Sequence, residues 1–124
     1  MRLNPDCVRD ILLYIEENTD SRHQAVSVED LVRDMAGKYD DNTLYYHISK
    51  IDEGGLVDDV SYTGVNIPID VTSLSWEGHC FLDNIRDNKV WAKVKAFFKS
   101  VVSISLPLLS EYAKTVAASF LPKP

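Results

Sequence analysis

The side chains most able to do metal or nucleophilic chemistry in this chain are His23, His47 and His79 with Cys7 and Cys80. Their spacing argues against both. A zinc site needs about four ligands at recognisable local spacing, and the chain has no C-x-x-C or H-x-x-x-H pair. His79 and Cys80 are adjacent, so on a helix they diverge by about 100° and do not face one ion. A cysteine nucleophile needs a base held by a third orienting group, and no segment supplies one. There is no Gly-rich phosphate loop. The sequence therefore predicts no catalytic residue, no metal and no cofactor, and the chain reads as something other than an enzyme.

Binding chemistry remains. Asn42, Tyr46, Ser49 and Lys50 fall on one side of a helical segment, and these residue types reach base edges and phosphates. Next to them stand Asp52, Glu53, Asp58 and Asp59, a cluster that repels phosphate and attracts a basic protein. DNA affinity rests on neutralising phosphates with Lys and Arg, yet residues 58–70 contain neither. The net charge of −6 is also uneven: residues 1–62 carry −8 and residues 63–124 carry +2. Two readings stand. The leading one, carried by the fold, is a DNA-binding transcriptional regulator that acts as a dimer and uses the first set of residues. The other is a protein-interaction module that presents the acidic set to a basic partner. Lys89, Lys93, Lys95 and Lys99, with Arg86 before them, form the one basic cluster and read as the solvated side of an amphipathic helix.

The elements that position these residues follow from periodicity and caps. Asn4-Pro5 opens a first helix, with Val8, Ile11, Leu12 and Ile15 on its apolar face. Residues 18–26 read as a polar connector. Ser27 and Asp30 form a capping-box pattern before a short second helix with Val28, Leu31, Val32 and Met35 inward. Asp40 or Asp41 caps the third helix, which turns Leu44, Ile48 and Ile51 inward and stops at Gly54-Gly55. Leu56–Tyr62 and Ile67–Leu74 read as two strands of a β-hairpin. Ser75 begins a fourth helix with Trp76, Cys80, Phe81 and Ile85 as inward candidates. The expected class is mainly α with a small β-hairpin (α+β). The order of elements predicts a winged helix-turn-helix over residues 1–87 and C-terminal amphipathic helices over 88–124.

That C-terminal extension is richer in apolar residues than a small domain needs. Trp91, Phe97, Phe98, Leu108, Leu109, Tyr112, Val116 and Phe120, together with Val101, share its apolar arcs. Burying about ten such side chains at roughly 1.5–3 kcal/mol each offsets an association cost of about 4–15 kcal/mol, so homodimerisation is the expected use. Packing back on the same chain is the alternative. A membrane span over residues 101–121 is disfavoured, because Pro107, Glu111 and Lys114 lie inside it and each charge costs about 2.5–3.5 kcal/mol there. No signal-peptide pattern opens the chain, and the two distant cysteines suit a reducing compartment, so the expected location is cytoplasmic.

Three strings, NPDCVRDILLYIEEN, LYYHISKIDEGGLV and LSWEGHCFLDNIRDNKVWAKVK, resemble the bacterial and phage-borne domain-of-unknown-function family numbered 2513 over roughly residues 1–100. The resemblance implies a winged-helix fold and a frequent association with prophages. It transfers no activity and no site residues. A looser similarity, from Tyr46-His47 to Gly55-Leu56-Val57, runs to transcription regulators in which such strings form the recognition helix and enter the wing. It bears on fold more than on DNA.

Overall fold

The computed structural model describes residues 1–99 and 104–121. The first helix, α1 (Pro5–Asn18), starts where the sequence places it: the Asn4 side chain accepts from the Asp6 N–H, and Pro5 takes a first-turn position with no hydrogen bond to lose. Its inward face of Cys7, Val8, Ile11, Leu12 and Ile15 is fully buried. Burial pushes the Cys7 thiol up to about 12, so it packs as a small apolar group.

A short strand, β1 (Ala25–Ser27), leads directly into α2 (Val28–Asp34), which Ser27 caps by accepting from the Asp30 N–H. The strand corrects the reading of residues 18–26 as a connector without structure. One buried valine between Ala25 and Ser27 carries no visible alternation. Its partner comes from elsewhere: Val26 pairs with Val71, which pairs on its other side with Val60. The three valines form a buried row across the sheet.

Asp40 caps α3 (Asp41–Glu53), accepting from the Thr43 N–H at 2.8 Å. Gly55 follows at φ +72°, a conformation that favours glycine, and turns the chain into the sheet. Strands β2 (Val60–Tyr62) and β3 (Pro68–Thr72) pair antiparallel, with Asn66 at φ 61° in the turn between them. The sheet therefore has three antiparallel strands in the order β1-β3-β2, one more than the expected hairpin.

Ser75 starts α4 (Trp76–Ile85) and joins it to the end of α3: its hydroxyl donates to the Gly55 carbonyl and accepts from the Gly78 N–H. The inward face of α4 is Gly78, Phe81, Leu82 and Ile85. Trp76, at 78% exposure, and Cys80 point to solvent, which corrects their assignment to the core. The reason is a close approach. A Cβ on Gly78 would lie 1.9 Å from the Leu56 carbonyl oxygen, so the glycine faces that backbone and rotates Trp76 and Cys80 outward.

Asp87 caps α5 (Asn88–Phe98) and Ser105 caps α6 (Leu106–Ser119). Both helices fold back on the rest of the chain. Val90, Trp91, Val94, Phe98, Leu106, Leu109, Ala113 and Val116 belong to the same continuous core as α1, α3 and α4. Leu106 reaches the end of α3, where a Cβ on Gly54 would meet its methyl at 2.4 Å. No helix among the described residues is long and apolar enough to cross a membrane. Val101 and the other residues of 100–103 and 122–124 lie outside the described part.

Candidate binding face

One side of the molecule uses its charges internally. Asp6 accepts from the Trp91 indole N–H at 2.9 Å and pairs with Lys95 at 3.2 Å. Burial alone would raise its pKa, but these two partners together hold it below the usual carboxylate range. Arg9 donates to the carbonyls of Ile85 and Arg86 and to the Asn88 side chain. Asp10 accepts from Lys38 and from the Tyr39 hydroxyl, at 2.6 and 2.7 Å. Arg86 grips Glu16 through two bonds of 2.7 Å, and its hydrogen bonds lower the Glu16 pKa. These pairs tie α1 to the α2–α3 loop and to the α4–α5 junction. They also engage Arg86 and Lys95 of the basic cluster.

A second surface is formed by α3 and the β2–β3 hairpin. Asn42 is exposed, Tyr46, Ser49 and Lys50 are half-buried, and helical spacing within α3 sets the four on one side of it. Lys50, however, is already engaged. Its ammonium pairs with Glu53 at 3.0 Å and sits 5.6 Å from the Tyr46 ring centre. Pairing with Glu53 raises its pKa. Tyr46 and Lys50 also face Leu3 and the Ser105–Pro107 segment across a shallow pocket, so the C-terminal extension borders this side.

The acidic candidates divide. Asp52 accepts from the Tyr62 hydroxyl at 2.7 Å, which ties the end of α3 to β2, and Glu53 holds Lys50. Asp58 and Asp59 are exposed and no Lys or Arg pairs with either among the described residues; the same holds for Asp41 and Asp70. Val65, Ile67 and Ile69 of the hairpin are exposed at 75%, 40% and 45%. These apolar residues escaped the sequence reading, which singled out only Asp58 and Asp59 in the hairpin. The available signal was the alternation of β-branched residues in VNIPI, with no charge to keep them in water.

The residues assigned to a dimer interface lie mostly inside the chain. Trp91, Phe98, Leu109 and Val116 are buried, and Tyr112 is half-buried with its ring stacked on Phe97 at 4.1 Å. Phe97, Leu108 and Phe120 reach solvent.

The three histidines are separated in space by their roles. His47 is buried, accepting the Asn4 N–H at Nε2 and facing the Thr43 carbonyl through Nδ1, each at 2.8 Å. Accepting at Nε2 requires the neutral ring with its proton on Nδ1. Burial also holds its pKa below the usual value. His23 is exposed beside Asp20, and His79 is exposed on α4. Among the described residues no group of three or more His, Cys, Asp or Glu side chains converges as a metal site.

A family model described as "Hypothetical protein (DUF2513)" matches residues 2–105. A Haemophilus influenzae protein, described as "Uncharacterized protein", is 30% identical over 123 residues, covering 98% of this chain and 99% of that one. No solved structure matches the chain.

Proposed function

The chain belongs to the DUF2513 family, and we propose that it is a non-enzymatic, cytoplasmic winged-helix protein whose α3–hairpin face binds a basic protein segment. The winged-helix part of the reading is supported by the order α1-β1-α2-α3-β2-β3 and by the sheet order β1-β3-β2, which sets a hairpin beside an exposed third helix. The choice of partner is carried by one observation. From Asp40 to Thr72 the chain holds seven acidic residues and one lysine, and that lysine is paired with Glu53.

Such a surface attracts lysine and arginine side chains and slows the approach of phosphate. Binding to duplex DNA is the second reading, favoured by the same order of elements. It would have to work through Asn42, Tyr46, Ser49 and a Lys50 released from Glu53. Two selections on the intact chain separate the readings. A pool of random duplexes at low salt yields no binder if the protein reading holds, whereas duplexes that bind and are lost on Lys50→Ala with Asn42→Ala overturn it. Random-peptide display yields Lys/Arg-rich sequences that Asp58→Lys with Asp59→Lys no longer binds; unchanged binding by that variant sinks the acidic face.

Homodimerisation is a separate part of the proposal. A second copy meeting the C-terminal helices would rest on Leu108, Phe120 and Leu121, because the other apolar residues of α6 largely serve the chain's own core. Light scattering on the intact chain tests it. A dimer that Leu108→Ser with Phe120→Ser dissolves supports the contact, and a monomer at high concentration removes it.

A further inference from the structure

The acidic face carries one feature that charge alone does not explain. Between α2, α3 and the hairpin runs an open groove of about 350 Å³. Val28 forms its buried floor. Val32, Tyr45, Ile67 and Ile69 form its sides, and the last two leave nearly half of their surface in water. The groove's charged residues are Glu29 and Asp70, and neither has an ion-pair partner among the described residues. The cation nearest in sequence to Glu29, Arg33, is held by Asp30 and Asp34 at 2.9 and 3.3 Å.

We infer that this groove seats a large aliphatic or aromatic side chain of a basic partner segment, whose flanking Lys or Arg residues meet Glu29 and Asp70. The inference rests on the protein-binding reading above and narrows it to one place and one partner chemistry. Val28, Val32, Ile67, Pro68 and Ile69 favour an apolar insert, since a polar side chain set against them loses its water with no return, and the hydroxyls of Ser27, Tyr45 and Thr63 are the uncharged polar groups of the lining. Two unpaired carboxylates at the rim demand cations on either side of that insert. A second copy of this chain fits poorly, because it would bring a net charge of −6 to an acidic rim. An apolar anchor in a pocket with a polar rim is also the usual make-up of an interface centre.

The test uses random-peptide display on the intact chain, then fluorescence anisotropy on the selected peptides made synthetically. The expected peptides carry Leu, Ile or Phe flanked by Lys or Arg. Ile67→Ser, which changes no charge, should weaken them at least tenfold, and Asp70→Lys should do the same. Ile67 and Asp70 are exposed, so both variants should keep the circular dichroism of the parent. Peptides that are basic, are lost on Asp58→Lys with Asp59→Lys, and yet bind Ile67→Ser and Asp70→Lys within twofold of the parent remove the groove and leave the acidic face standing. Peptides with no excess of Lys and Arg overturn both readings.

Discussion

Carboxylates stand on both sides of this molecule, but they serve differently on each. Around α1, Asp6, Asp10 and Glu16 each meet a cation, and two of them also accept from a buried-edge indole or phenol. Around α3 and the hairpin, Asp41, Asp58, Asp59 and Asp70 meet none among the described residues. The first set joins elements distant in sequence. The second set forms no ion pair among the described residues, Asp41 accepting only from the neighbouring Asn42 N–H, and its mutual repulsion is a small cost to folding. The difference teaches that an acidic residue's role is set by whether the fold brings a cation to it. The total charge of −6 hides two surfaces, one neutralised and one open.

The largest expected effect falls on the packed side. Gly78→Ala drives a methyl into the Leu56 backbone, which has no rotamer to yield. Denaturant unfolding should show a loss of about 3 kcal/mol or more; an unchanged midpoint would mean that α4 does not sit against Leu56.

His47 comes next. Replacing it with Leu removes the acceptor of the Asn4 N–H, at a cost of about 1–3 kcal/mol. Its pKa is depressed in the folded chain, so the two states bind protons equally above the unfolded value, about 6.5. Below it the unfolded chain takes up a proton that the folded chain resists. Stability should therefore fall as pH drops through about 6.5 and level off below the folded value, and His47→Leu should lose that slope. The depressed Asp6 and Glu16 add a second decline at lower pH, as acid protonates carboxylates that the folded state keeps ionised.

Glu16→Gln tests the matched charges more gently. Both partners are partly exposed, so breaking the grip of Arg86 should cost about 0.5–1 kcal/mol, less in high salt. Smallest is Asp58→Asn with Asp59→Asn, which should leave unfolding within about 0.5 kcal/mol of the parent while weakening the basic peptides. A large loss of stability there would show that these aspartates are structural after all, and the contrast between the two sides would fail.

Much of this was legible in the chain itself. Asn4-Pro5, Ser27, Asp40 and Ser75 each cap the helix that the sequence assigns to them, because a cap is a local bond between a side chain and a backbone two or three residues away. The inward faces of α1 and α3 follow from 3.6-residue periodicity for the same local reason. The shortage of cations around α3 was equally visible, since charge is a property of composition. What the sequence withheld depended on partners far along the chain. β1 exists because β3 offers Val71 to Val26, and Trp76 faces water because Gly78 must face Leu56. Trp91, Phe98, Leu109 and Val116 are apolar by sequence, but only the tertiary structure turned them toward their own chain. In the same way, alternate β-branched residues in a hairpin became one side of a groove only when α2 and α3 came to stand opposite them. Local bonds and residue type fix elements and charge. Which surfaces are used up and which stay open is decided by long-range packing, where each contact depends on all the others being made.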